Sequence, residues 1–148
     1  MRMSPAGVAF LQGWESCALT AYQDGVRVWT IGWGRTMGVR PGDVCTAEQA
    51  DDWLRETLEE YAEELEGYLF REPTQQQFDA LLDLGYNAGV SSIGDSGLMS
   101  RFNAELDQEC ADRFLLWNRS GGRVVNGLTK RRRGERAIYL NADYSHRP

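Results

Sequence analysis

The stretch Gly13–Thr36, GWESCALTAYQDGVRVWTIGWGRT, decides how the rest of the chain is read. It begins at the end of a helical pattern, passes through the turn dipeptide Asp24-Gly25, and continues in Val26, Val28, Trp29, Ile31 and Trp33. Turn residues flanked by β-branched and aromatic residues predict a small β-hairpin or meander between Leu19 and Met37. Two carboxylates, Glu15 and Asp24, sit on either side of the helix-to-strand change, and Thr30 follows in the strand after the turn. A segment that only had to fold would need neither acid. Folding the hairpin back over the helix end would bring all three toward one place, and two carboxylates flanking a sugar bond are the minimum equipment of a glycosidase. By spacing alone the alternative stays open that Glu15 merely ends a helix and Asp24 merely starts a turn.

Upstream, Ser4-Pro5 has the form of an N-cap followed by proline at the first helical position, with Val8, Phe10, Leu11 and Trp14 as the apolar face of a first helix. Downstream, Pro41-Gly42-Asp43 is a further turn. Thr46 and Gln49 form a capping box ahead of a long amphipathic helix reaching about Tyr68, with Ala50, Trp53, Leu54, Leu58, Tyr61 and Leu65 inward and a glutamate-rich face in solvent. Thr74 and Gln77 repeat the capping box before QFDALLDLGYN, which Asn87-Ala88-Gly89 should end. Short helices follow at about 96–103 and 107–117, then NRSGGRVVNG as a loop, then an arginine-rich helix from Leu128 to about Leu140. The expected architecture is α+β, one domain over residues 1–148. The first helix and β lobe occupy about 1–45 and a larger helical lobe about 46–143, with a cleft where the lobes meet.

Composition limits the chemistry. A chain of 148 residues with 42% hydrophobic and 11% aromatic residues is long enough to bury a core without disulfides or metals. The one histidine, His146, lies in the polar tail, which removes Ser-His-Asp and Cys-His catalysis and argues against a histidine metal site. Carboxylates are left for acid–base work, and neither cofactor nor metal is expected. The cysteines Cys17, Cys45 and Cys110 make no C-x-x-C pair; they suit a reduced compartment, where most are expected to be small buried packing residues. No apolar run is long enough to span a bilayer, so no stable membrane insertion is expected. The N-terminal residues lack a secretory pattern, which points to accumulation in a cytoplasm. A net charge of −6 and the absence of aromatics among Lys130, Arg131, Arg132, Arg133 and Arg136 argue against a nucleic-acid partner.

The order Glu15, eight residues, Asp24, five residues, Thr30, within ESCALTAYQDGVRVWTIGWG, resembles the catalytic region of the phage-type lysozymes, the glycoside hydrolase family of bacteriophage endolysins. TAEQADDWL, TQQQFDALLDLGYNAG and WNRSGGRVVNGLTKRRRGER resemble further motifs of that family in the same order, so the likeness covers nearly the whole chain. It implies a lysozyme-like fold and hydrolysis of the β-1,4 bond between N-acetylmuramic acid and N-acetylglucosamine in peptidoglycan. Glu15 would be the general acid, Asp24 would stabilise charge at the sugar and help orient water, and Thr30 would help place that water. Trp33, Arg35 and Asn118 would meet substrate, and Arg131 or Arg132 would support the site, with Glu15 as a candidate partner. Arg35 departs from the family, which commonly has histidine in this G-Y-G-H-T position; a permanent cation there bears on the pH profile and not on the reaction class. The resemblance further implies a monomer that is held in the host bacterial cytoplasm until a holin-type membrane pore-former releases it to the wall. A lytic transglycosylase would need neither Asp24 nor Thr30, and a non-catalytic glycan- or protein-binding relative would be expected to have lost one of the three residues.

Overall fold

The computed structural model describes all residues from Met1 to Pro148. The elements run α1 (Pro5–Trp14), β1 (Ala18–Gln23), β2 (Trp29–Gly32), α2 (Ala47–Glu66), α3 (Gln75–Ala88), α4 (Val90–Gly94), α5 (Gly97–Asn103), α6 (Asp107–Phe114), β3 (Arg119–Ser120), β4 (Arg123–Val124) and α7 (Asn126–Asn141). Two antiparallel hairpins, β1–β2 and β3–β4, are the only sheets, so the chain is α+β as expected. It divides into two compact units, Met1–Trp14 with Glu60–Pro148, and Glu15–Glu59. The division therefore falls inside α2, and α1 joins the later helices, where the sequence places it with the hairpin.

Polar ties explain where α1 goes. Ser4 caps α1 by accepting from the Gly7 N–H at 3.0 Å. The same serine donates its own N–H to Asp79 Oδ1 of α3 at 2.9 Å and its hydroxyl to Asp79 Oδ2. Phe10 and Leu11 bury the apolar face of α1 within this helical unit. Its centre is α3, in which every residue from Gln77 to Gly85 is buried. The predicted capping box is present, with Gln77 N–H donating to Thr74 Oγ1 and Thr74 N–H to Gln77 Oε1. Burying Phe78, Leu81, Leu82 and Leu84 completely stabilises the unit by about 1.5–3 kcal/mol per side chain.

Helix α3 also carries two acids inward, Asp79 and Asp83, one turn apart. Asp79 accepts from Ser4, from Gln75 Nε2 at 2.9 Å and from the Tyr144 hydroxyl at 2.7 Å. Burial and that carboxylate push the Tyr144 phenol up to about 12. Asp83 is held by a guanidinium fork, Arg131 Nε at 2.9 Å and Nη2 at 3.0 Å. Arg132 reaches Glu135 Oε1 at 2.6 Å and the Trp117 carbonyl at 3.2 Å, and Arg131 lies 3.6 Å from the same Glu135 oxygen. Complete burial pushes the Glu135 carboxyl well up, Arg132 and Arg131 pull it down, and the neighbouring Asp83 adds to the rise.

Three local features depart from the sequence reading. Helix α6 stops at Phe114, because Leu115, Leu116 and Trp117 donate to carbonyls three residues back in a tightened last turn. The expected loop 118–127 contains the β3–β4 hairpin, and α7 begins at Asn126. Its turn is Gly121-Gly122 with φ of 57° and 76°, the positive pair that a two-residue hairpin turn requires. Helix α4, only five residues long, starts directly from the C-cap Gly89 of α3 and had no periodicity to announce it.

The Asp83–Arg131 fork yields a stability prediction. Arg131→Met leaves a fully buried carboxylate without its partner, a loss of about 3–5 kcal/mol. At roughly 2–4 °C per kcal/mol, thermal unfolding should fall by about 10 °C. The double variant Asp83→Leu, Arg131→Met should recover most of that loss, because no uncompensated charge remains.

Candidate active site

Asp24, Thr30 and Glu15 all fall in the unit Glu15–Glu59. Strands β1 and β2 pair at Gln23↔Trp29 and Tyr22↔Thr30, and the turn beyond them is closed by Asp24. Asp24 N–H donates to the Val28 carbonyl at 3.0 Å, and Asp24 Oδ1 accepts from Val26 and Val28 N–H groups, each at 2.9 Å. Arg27 takes a left-handed φ of 63° to let the chain return. Oδ2 of Asp24 accepts no hydrogen bond from the chain. Thr30 is 5% exposed, and its Oγ1 donates to the same Val28 carbonyl at 3.1 Å. One peptide-bearing residue, Val28, therefore fixes both side chains. With its proton directed to that carbonyl, the Thr30 oxygen can only accept from a further partner.

Glu15 follows immediately after α1 and is half-buried. Three residues later β1 begins, paired at Ala18↔Gly32. A bulge lies between Ala18 and Tyr22, and there the strand turns to another partner: Thr20 bridges Val44, Ala21 N–H donates to Asp43, and Cys45 N–H donates to Leu19. The turn Pro41-Gly42-Asp43 feeds this third segment. Beyond β2 the chain folds sharply, with Ile31 and Arg35 exchanging N–H···O bonds of 2.9 Å in both directions. Gly32 has φ of 62°, and a Cβ there would lie 3.3 Å from Ala50 Cβ, so the bend packs closely on α2.

The bend places the two remaining candidates of this unit. Trp33 Nε1 donates to Asp51 Oδ1 at 2.8 Å, and the Arg35 guanidinium stands 4.8 Å from the Trp53 ring centroid. Asp51 and Trp53 lie on the first turns of α2 and were legible only as helix positions; their role in orienting Trp33 and Arg35 depends on the bend.

The other three candidates belong to the helical unit. Asn118 donates from Nδ2 to Thr129 Oγ1 at 3.1 Å, and its carbonyl accepts from Val125 N–H at 2.9 Å, so it fastens the base of the β3–β4 hairpin. Arg131 and Arg132 are buried on α7 with Asp83 and Glu135 as described. Asp83 carried no signal beyond a helix position, since its partner is 48 residues away.

The cysteines require a correction. Cys110 alone is buried, and burial pushes its thiol up to about 11. Cys45 is half-buried and Cys17, two residues from Glu15, is exposed, because it precedes the ladder that would have covered it. No group of three or more His, Cys, Asp or Glu side chains is arranged to hold a metal ion.

Known proteins share the fold and much of the sequence. The phage lysozyme family model matches residues 12–135. The endolysin of Bacillus phage B103 is 36% identical over 146 residues, covering 97% of this chain and 56% of its own. The chain thus spans little more than half the length of the Bacillus phage endolysins it matches. Among solved structures, an endolysin from Escherichia coli O157:H7 phage FAHEc1 superposes with a TM-score of 0.89 at 35% identity, over 97% of this chain and 96% of that one. The muramidase domain of SpmX from Asticaccaulis excentricus gives 0.88 at 32% identity, over 95% and 98%. The fold is lysozyme-like. The chain belongs to the phage lysozyme family.

The double attachment of Asp24 separates its structural and charge contributions. Asp24→Asn keeps an oxygen acceptor for Val26 and Val28 and should unfold within a few degrees of the parent. Asp24→Ala removes both bonds, at about 0.5–1.5 kcal/mol each, and should unfold measurably lower. Thermal unfolding followed by circular dichroism distinguishes the two.

Proposed function

We propose that the chain is a muramidase that hydrolyses the β-1,4 bond between N-acetylmuramic acid and N-acetylglucosamine of peptidoglycan. Glu15 protonates the leaving glycosidic oxygen. Asp24 stabilises the positive charge that develops at the sugar and helps orient the attacking water, and Thr30 helps place that water. A glycoside hydrolase uses an acid on the leaving group and a carboxylate on the sugar ring, and two positioned carboxylates are what this chain offers.

The observation that carries the reading is the shared anchor at Val28. It commits Asp24 Oδ1 to the turn while leaving Oδ2 without a partner in the chain, and it turns the Thr30 oxygen into an acceptor. A charged oxygen and a hydrogen-bond acceptor held by one short turn suit the orientation of a water molecule, since small errors in placement lower such rates steeply. Family membership over residues 12–135 includes all three residues, and the names of the relatives, endolysins and a muramidase domain, agree with the reaction. Trp33 and Arg35 extend the site as substrate contacts: the one offers a flat indole, the other a permanent cation stacked on Trp53. The family resemblance also assigns Asn118 to substrate contact and Arg131 and Arg132 to support.

Clearing of chloroform-treated Gram-negative cells tests the proposal. Glu15→Gln should abolish clearing while the protein still folds and still sediments with purified peptidoglycan. Thr30→Val keeps the shape of the side chain and removes the hydroxyl, so unfolding should change little while turnover falls roughly 10²–10⁴-fold. Full activity of either variant would contradict the assigned roles.

A further inference from the structure

Charge in this acidic protein is distributed unevenly. Of its sixteen lysines and arginines, eight lie between Arg113 and Arg136, a stretch whose one acid is Glu135. Arg131 and Arg132 spend their charge inside, on Asp83 and Glu135, and Arg136 pairs with Asp112 at 2.8 Å. Arg119, Arg123, Lys130 and Arg133 are exposed and make no ion pair; Arg119 reaches only the Gly122 carbonyl. Every residue from Arg119 to Gly127 is exposed, so the β3–β4 hairpin projects from the helical unit.

The hairpin is nevertheless firmly based. Asn118 binds it to Thr129 of α7, Val125 N–H closes on the Asn118 carbonyl, and Arg132 holds the Trp117 carbonyl. The same stretch of chain carries exposed apolar side chains: Leu116 is 67% exposed and Val124 55%, with Leu115 and Val125 also exposed. Val124 stands directly across the ladder from Arg119.

We propose that the β3–β4 hairpin, with Leu116 and the Lys130–Arg133 face of α7, is a docking surface for an anionic phospholipid bilayer. Unpaired cations interspersed with exposed aliphatic side chains match the interface, where charge meets lipid phosphates and methyl groups enter the acyl boundary. A hydrated phosphodiester polymer would satisfy the cations and leave Leu116 and Val124 exposed to water. Single-stranded nucleic acid calls for aromatic stacking platforms, and the projecting residues include none. The surface uses none of Glu15, Asp24 and Thr30, and the proposal stands whether or not the hydrolytic reading does.

Sedimentation with phosphatidylcholine vesicles, with and without phosphatidylglycerol, tests it on the full chain. The protein should bind the mixed vesicles at low salt, release them as salt rises, and ignore pure phosphatidylcholine. Each cation near such a surface contributes roughly fivefold, so Arg119→Gln, Arg123→Gln should bind roughly 25-fold more weakly, and Lys130→Gln, Arg133→Gln similarly. Leu116→Ser, Val124→Ser should lose at least about tenfold. All these positions are exposed, and unchanged thermal unfolding verifies that each variant is folded. Equal binding to both vesicle types, or undiminished binding by the two cation variants, would overturn the proposal. So would an apolar variant that binds as well as the parent while soluble polyphosphate displaces both, which would mark a polymer site.

Discussion

Two aspartates on the most deeply buried helix constrain how the helical unit can close. An ionised carboxylate inside a protein is tolerated only with hydrogen-bonding or charged partners, and α3 presents Asp79 and Asp83 one turn apart with almost no access to water. Nothing adjacent in sequence satisfies them fully. Asp79 draws in Ser4 from the start of the chain and Tyr144 from its end, and Asp83 draws in Arg131. The first helix, the central helix and the last helix thus meet because two acids require it, while the surrounding leucines and phenylalanines supply the bulk of the stabilisation. Arg131 in turn lies beside Glu135, whose second guanidinium, Arg132, reaches the end of the α6 segment at Trp117. Buried charge here specifies which elements pack together.

The hairpin unit follows a different logic. Its defining bonds join residues two to four positions apart: Asp24 to Val26 and Val28, and Thr30 to Val28. Such a turn can hold an oxygen in place without the rest of the chain being specified. The bulge in β1 then releases Thr20 and Leu19 to pair with residues 44 and 45, which widens a two-stranded hairpin into a broader support for the same turn.

This contrast explains what could be read in the sequence. The capping boxes at Thr46 and Thr74 and the Asp24-Gly25 turn are local hydrogen-bond patterns written in contiguous residues, and the structure has them. The glycosidase candidates stand out through the likeness of their order to the phage-type lysozymes; spacing alone leaves open that Glu15 merely ends a helix and Asp24 merely starts a turn. The pairing of Asp83 with Arg131 was not, because a separation of 48 residues leaves no trace in periodicity. Cys17 was misjudged as buried because burial depends on where β1 starts, and the ladder begins one residue later, at Ala18. The β3–β4 hairpin had its signal in Gly121-Gly122, but strands of two residues are too short to show alternation.

In the proposed reaction, water attacks a sugar whose leaving oxygen Glu15 has protonated and whose developing charge Asp24 stabilises. Digesting purified peptidoglycan in ¹⁸O-enriched water and examining the fragments by mass spectrometry tests this directly. The account predicts fragments ending in reducing N-acetylmuramic acid with the heavy oxygen at the newly freed anomeric carbon. Fragments ending in unlabelled 1,6-anhydro-muramic acid would contradict it, because the bond would then have been broken without water.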